Sequence, residues 1–490
     1  MCCQCCSVTQ RKIWVFGIGT LMLLMGVVVI LIWPDMSTKM VQSSLVLKEG
    51  TENFENWKET PIPIYTKFTL FNWTNPEEFR NPNVKPNLVE MGPYVFLEKD
   101  LKMDLDFHEN NTVSYYNRKS WFFIPEMSNG TLDDMVTAAH VITASVADMM
   151  RNRNKYVKKI MNFVLNHEGG ELAVTKKAGE WIFDGYQDNL IDFLKLFNTS
   201  AIHIPYTKFG FLVDRNNSKE FDGRYMIGTG GDDIHKLGLL TNWNGRPTNG
   251  FYPGECGKVN GSTGDLLPPD LDVNEDITIY AVDTCRFLNL SPGGKVQVYG
   301  LDGYEWTGTA DTLDSGENDP EQKCFCNPKE EECPKTGVVD CRRCRNNAPI
   351  FASFPHFYLG DQSYVDGVTG IKPVKEKHQF RFAIEPTMGV PLEIHARIQI
   401  NLLIQPDNDF DIYKGVPKVM MPMFYFEQIA ELTESLANRT KLGVNLKSYG
   451  LYLGYFLIAV GAIMDIIGIV LTVTKRWTRS ADDDEELLTN

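Results

Sequence analysis

Two uninterrupted apolar runs, one near each end of the chain, constrain this sequence more than any other feature. Residues 13–33 contain no charged side chain, and residues 449–473 contain one, Asp465. A bilayer core takes about 20 apolar residues in a helix, and a helix pairs every backbone group internally. The first run exceeds the apolar stretch of a cleaved signal and ends in Trp33-Pro34, with no small-residue cleavage pattern. It therefore reads as a retained anchor. Arg11 and Lys12 precede the first run, and Lys475, Arg476 and Arg479 follow the second. Short basic flanks stay in the cytosol. Both ends predict one topology: a cytosolic tail at 1–12, a span at 13–33, an exoplasmic domain at 34–448, a span at 449–473 and a cytosolic tail at 474–490.

The middle segment carries the marks of an exoplasmic compartment. Asn-x-Ser/Thr sequons begin at Asn72, Asn110, Asn129, Asn198, Asn216, Asn260, Asn289 and Asn438, all between the spans. Cys2, Cys3, Cys5 and Cys6 crowd the N-terminal tip, whereas the other seven cysteines fall at 256–344, a segment that reads as disulfide-rich. Of the formal net charge of −15, −14 lies between the spans. An acidic, soluble surface argues against nucleic acid as a partner.

Within the exoplasmic segment, 62–72, 94–98 and 113–116 read as short strands separated by Pro and Asn clusters. Residues 132–165 lack Gly and Pro, and Met135, Ala139, Ile142, Val146 and Met149 recur at helical steps. A second helix is predicted at 178–197, after the Gly169-Gly170 break, so 132–197 reads as a helical hairpin within a β-rich domain. Strands return at 277–282, 295–299, 379–385 and 391–405. The last alternates Leu392, Ile394, Ala396, Ile398 and Ile400 with polar residues, as a half-buried strand does. Residues 427–445 read as a helix leading to the second span. The fold class is α+β.

Several stretches resemble the class B scavenger receptors from the first span to the second. They are Asn75-Pro-Glu-Glu-Phe79, Glu90-Met-Gly-Pro-Tyr-Val95, Gly179-Glu-Trp181 with Gly185-Tyr186, Asp283-Thr-Cys-Arg286, Cys324-Phe-Cys326, Phe354-Pro-His-Phe357 and Ile384-Glu-Pro386. The resemblance implies a two-pass protein whose β-rich ectodomain carries a membrane-distal helical bundle and encloses a hydrophobic tunnel. It implies ligands among lipoproteins, anionic or oxidised phospholipids, fatty acids, sterols, proteins and bacterial surfaces. For insect blood-cell members it implies apoptotic cells. It also implies the disulfides Cys256–Cys324, Cys285–Cys344 and Cys326–Cys333, a choice that spacing alone does not make. Cys341 is left over, as a free thiol, an intermolecular link or a sign of shifted pairing. Zinc at Cys341-x-x-Cys344 is the competing reading, disfavoured because no second such unit is present.

Arg151, Arg153, Lys155, Lys158 and Lys159 form a cationic run without Asp or Glu. On an acidic domain such a run suits phosphate head groups or oxidised acyl carboxylates, and the bland alternative is a solvated helix face. The family's bundle is where ligands dock, which favours these five residues as an anionic-lipid site. The prototype's lysine pair after this helix is replaced here by Asn166-His167-Glu168-Gly169, so fatty-acid capture by that route does not carry over. Cys2, Cys3, Cys5 and Cys6 are candidates for palmitoylation. Asp483, Leu487 and Leu488 match an acidic dileucine sorting signal, which suits cycling between plasma membrane and endosomes or lysosomes. Gly450, Gly454, Gly461 and Gly468 suit close packing of the spans or homo-oligomerisation.

No residue pattern calls for a cofactor or a metal. An ecto-enzyme would need more than Gly228-Thr-Gly-Gly-Asp-Asp233, which reads as a turn, and a two-span channel would need more than Asp465 and the glycines. A lysosomal lipid-handling or enzyme-escorting protein of the same family is the nearest alternative to a surface receptor.

Overall fold

The computed structural model describes residues 8–195, 207–326 and 332–477. The chain forms two compact units: residues 46–437, and the two terminal segments 1–45 with 438–490.

The helices are α1 (Val8–Leu45), α2 (Glu52–Lys58), α3 (Val141–Met150), α4 (Lys155–His167), α5 (Asn189–Lys195), α6 (Gln362–Asp366), α7 (Lys375–His378) and α8 (Glu434–Val473). The strands are β1 (Ile64–Trp73), β2 (Leu88–His108), β3 (Thr112–Phe123), β4 (Met135–Ala139), β5 (Ala173–Lys177), β6 (Arg224–Gly228), β7 (Leu240–Trp243), β8 (Ile277–Ala281), β9 (Arg286–Val298), β10 (Leu301–Thr307), β11 (Val338–Asp340), β12 (Ile350–Ser353), β13 (Arg381–Glu385), β14 (Val390–Ile404) and β15 (Val419–Glu431).

The terminal unit is a helical pair. α1 and α8 are long and apolar enough to cross a membrane, and each extends beyond its apolar run. The small residues lie in their seam. A Cβ on Gly450 would fall 1.9 Å from the Trp33 indole, and one on Gly19 would fall 2.3 Å from Asp465 Oδ1. Trp33 Nε1 donates to the Leu446 carbonyl at 3.0 Å, and Thr20 Oγ1 lies 3.5 Å from Asp465 Oδ2. The glycines are spent on packing one span against the other, which satisfies close approach without a second chain.

The other unit is built on one antiparallel sheet in the order β7-β6-β3-β2-β1-β15-β14-β13-β10-β9-β8, with β12 and β11 branching from β14. Its two ends are joined through residues 261–262. Leu240 N–H donates to the Gly261 carbonyl (2.8 Å), Ser262 N–H to Thr278 (3.0 Å) and Tyr280 N–H to Ser262 (2.8 Å). The sheet therefore wraps towards a barrel, with its two terminal strands engaged through this segment. One core gathers Phe68, Trp73, Tyr94, Trp181, Phe410 and Phe424, and a second gathers Leu288, Trp306, Phe354, Phe382 and Ile398. Ile400 and Phe426 pack against both.

The structure corrects three of the expected elements. Met135–Ala139 is a strand, β4, paired with β5, because Val136 and Ala138 bury alternately against the neighbouring layer. The helix expected at 178–197 is a π-helical turn at Glu180–Asp184, a Gly185 at φ +70°, and then the short α5. The stretch 427–431 belongs to β15, paired on one side with β1 and on the other with β14, and α8 starts only at Glu434. β14 is also more than half-buried. Arg397, Gln399 and Asn401 are buried beside the apolar set, and Gln399 and Asn401 bond each other at 2.7 Å.

Disulfides join Cys256–Cys324, Cys285–Cys344 and Cys326–Cys333, and Cys341 is a buried free thiol. Because Cys344 is oxidised, a zinc site at Cys341-x-x-Cys344 has lost one ligand.

Two histidines pin the segment before β13. His356, at φ +57°, accepts the Lys372 N–H at Nδ1 (2.8 Å) and faces Glu90 through Nε2 (2.7 Å). His378 Nδ1 accepts the Val374 N–H (3.0 Å), and its ring stacks on His356 with centroids 4.2 Å apart.

Burial pushes the Cys341 thiol up to about 12, so it should resist a thiol reagent at pH 8 in the folded protein and react at once on denaturation. Burial, and then the neighbouring His356, hold His378 down at about 3. The unfolded chain takes up that proton near the ordinary histidine value and the folded chain does not. This contribution is therefore complete above about pH 6.5 and is lost as pH falls towards 3. Melting temperature should drop between pH 7 and pH 5, and His378→Leu should flatten that part of the profile.

Candidate functional site

α4 is delimited by its own sequence. Asn154 Oδ1 caps it, accepting the Tyr156 and Val157 N–H groups at 3.1 and 3.0 Å. Gly169, at φ +85°, ends it, and the Gly170 N–H returns to the Leu165 carbonyl at 2.7 Å. Between these caps the usual polarity of a surface helix is partly inverted. Lys158, Met161, Val164 and Leu165 are buried, while Tyr156 (81% exposed), Ile160 (66%) and Phe163 (62%) face outward. Asn162 and Asn166 also point towards the body, each donating to Asp411 Oδ2, at 2.9 and 2.8 Å.

The five cations of the 151–159 run part company here. Arg153, Lys155 and Lys159 are exposed, and no carboxylate of the described residues lies within ion-pair distance of them. Lys158 is buried, with its ammonium 3.0 Å from Asp407 and 3.3 Å from Asp409. Arg151 donates to the Pro406 carbonyl (3.2 Å) and lies 3.7 Å from Asp148. Grouping all five as one surface patch is therefore corrected: Lys158 tethers the helix to the 406–411 loop, and Arg151 braces its start. What remains outside is a cationic edge beside an apolar stripe.

Behind α3 lies a cavity of about 250 Å³. Val141, Ile142, Val146 and Met149 of α3 face Phe68, Phe211, Phe424 and Phe426 across it. Its polar side is a closed network. Lys119 Nζ is 2.9 Å from Glu98, Thr66 donates to Glu98 at 2.5 Å, and Gln428 and Trp121 donate to the same carboxylate at 2.8 and 3.0 Å. Burial disfavours the Glu98 anion, but Lys119 and the hydrogen bonds outweigh it and hold the group below the usual carboxylate range. Arg215 lies between Asp222 (2.9 Å) and Asp283 (2.8 Å). Composition and periodicity did not reveal this cavity. Its wall comes from segments hundreds of residues apart, although the family resemblance did imply a tunnel.

The profile of the CD36 family matches residues 17–472. The chain belongs to the CD36 family. It is 35% identical over 407 residues to Protein peste of Drosophila melanogaster, covering 83% of this chain and 72% of that one. It is 26% identical to Scavenger receptor class B member 1 of Bos taurus (94% and 89%) and 27% identical to Lysosome membrane protein 2 of Homo sapiens (95% and 94%). As a CD36-family member it is a two-pass membrane protein with a large β-rich domain.

Other expected sites are dispersed over the CD36-family fold. Among the sequons, Asn110, Asn216, Asn260 and Asn438 are exposed. Asn129 is exposed as well, whereas Asn72 and Asn289 are half-buried, Asn72 accepting the Thr137 N–H at 2.8 Å. Asn198, Cys2, Cys3, Cys5, Cys6, Asp483, Leu487 and Leu488 lie outside the described residues. Asp232 pairs with Lys236 at 2.7 Å and Asp233 caps the following turn, as the turn reading of 228–233 requires.

Removing one member of a buried ion pair strands its partner and costs about 3–5 kcal/mol. Lys158→Ala should therefore lower the melting temperature of the protein by several degrees, while Lys159→Ala should leave it unchanged. Equal melting temperatures for the two variants would mean that Lys158 does not hold α4.

Proposed function

We propose that this protein is a cell-surface receptor that captures anionic or oxidised lipid surfaces on the outward face of α4 and promotes their internalisation. The observation that carries this reading is the pairing, on one exposed helix, of an apolar stripe (Tyr156, Ile160, Phe163) with the unpaired cations Arg153, Lys155 and Lys159. An interfacial helix binds membranes through that combination of buried apolar area and attraction to anionic head groups. Exposed phosphatidylserine or oxidised acyl chains on apoptotic cells, bacterial surfaces and lipoproteins would present this chemistry, and the cavity behind α3 would house lipid. The names of the relatives, a class B scavenger receptor among them, support a receptor role. In this reading both tails are cytosolic, Cys2, Cys3, Cys5 and Cys6 are acylated, the exoplasmic sequons carry glycans, and Asp483, Leu487 and Leu488 direct endocytosis.

A second reading, a resident of endosomes or lysosomes, is favoured by the same tail motif and by the likeness to Lysosome membrane protein 2. Staining of intact cells separates the two, since a resident lysosomal protein shows little at the surface.

The test uses cells displaying the full chain and fluorescent liposomes of phosphatidylcholine alone or with phosphatidylserine. Each cation near an anionic surface contributes about 1 kcal/mol, so joint conversion of Arg153, Lys155 and Lys159 to Glu should weaken binding at least about a hundredfold. In that variant added salt should no longer weaken binding, because the three carboxylates now repel the anionic surface and salt screens that repulsion. Ile160→Ser with Phe163→Ser should weaken binding while the salt dependence persists. Wild-type binding by both variants, at normal surface levels, would move the site away from α4.

A further inference from the structure

Four cations line the cavity behind α3: Lys119, Lys208, Arg215 and Arg345. Three are neutralised by the protein itself. Lys119 is paired with Glu98 (2.9 Å) and Asp100 (3.9 Å), and Arg215 with Asp222 and Asp283. Arg345 lies 3.9 Å from Asp283 and donates to its carbonyl at 2.8 Å. Lys208 differs. Its ammonium donates to the backbone carbonyl of Asp184, and no carboxylate of the described residues lies within ion-pair distance. A carbonyl occupies one of the three ammonium hydrogens and cancels none of the charge.

An apolar cavity with one uncompensated cation on its wall calls for a ligand that is apolar along its length and carries one negative charge at an end. We propose that Lys208 anchors the anionic head of a single-chain lipid whose tail lies along α3 and the phenylalanines of β1 and β15. This rests on the reading of the cavity as a lipid site, and it assigns the head-group preference of that site to one side chain. Lys119 and Arg215 are poorer anchors, because a ligand anion there would have to displace the buried Glu98 or Asp222, and Arg345 already shares Asp283 with Arg215. The anchor is also distinct from the cations on α4, so the surface that meets a membrane and the site that holds a single lipid differ in the charge they use.

The experiment measures equilibrium binding of labelled oleate, oleoyl lysophosphatidate and oleyl alcohol to the delipidated full chain held in amphipol. The three probes share a tail and differ in head group: carboxylate, phosphate or neutral hydroxyl. A charge-assisted hydrogen bond in an apolar site corresponds to about ten- to a hundredfold in affinity. Lys208→Gln should weaken binding of the anionic probes by that factor and leave oleyl alcohol unchanged. Lys208→Arg should restore anion binding, and a preference between oleate and lysophosphatidate identifies the head. Val146→Trp, which fills the cavity, should remove all three. Wild-type oleate affinity in Lys208→Gln, with Val146→Trp still blocking, would overturn the anchor and leave the cavity standing. Binding that Val146→Trp does not affect, or no binding by the wild type, would overturn both. Liposome capture by Lys208→Gln should stay at the wild-type level, since that step belongs to α4.

Discussion

The ion pair of Lys158 with Asp407 and Asp409 determines which way α4 faces. A helix packed by hydrophobicity alone would cover Ile160 and Phe163 and leave Lys158 in water with Lys155 and Lys159. Here a buried ammonium, helped by Asn162 and Asn166 on Asp411, holds Lys158 inward beside Met161, Val164 and Leu165 and leaves Ile160 and Phe163 outside. Charge burial is unfavourable unless it is paired, so the carboxylates of the 406–411 loop are what let Lys158 share the buried face with Met161, Val164 and Leu165. The exposed stripe is the consequence, and the site proposed for lipid surfaces depends on it.

Much of the architecture could be read from the residues. The two spans follow from length and the absence of charge, and the strands around 64–73, 277–281 and 390–404 follow from alternation. What could not be read has particular causes. In 135–149 the apolar residues fit a helical step and an alternating step equally well. The presence of a partner strand, β5, decided for β4 and only then for α3. In 427–431 the side chains favour helix, but Glu427 is tied across the sheet to Arg397 and, at 3.8 Å, to Lys67. Tertiary pairing overrode local preference there. The cationic run was visible as five residues, yet its division into two bracing groups and three exposed ones depended on a loop some 250 residues away.

The cavity wall shows how a protein can put charge beside an apolar cavity. Glu98, Lys119, Thr66, Trp121 and Gln428 satisfy one another so fully that the polar side of the cavity behaves as a neutral surface. Such networks stiffen a fold when complete and destabilise it when broken, which makes them poor places for a ligand to compete. The head-group anchor proposed above, Lys208, lies outside the network.

The bonds through residues 261–262 that join the ends of the sheet have a further effect. Receptors with an open sheet edge can recruit an extended peptide as an added strand, reading main chain before side chain. Here the main run of the sheet has its terminal strands already engaged through Gly261 and Ser262. At this seam, partners are therefore recognised by what the surface side chains offer rather than by an added strand. The same closure shields β7 and β8 from strand-by-strand self-association.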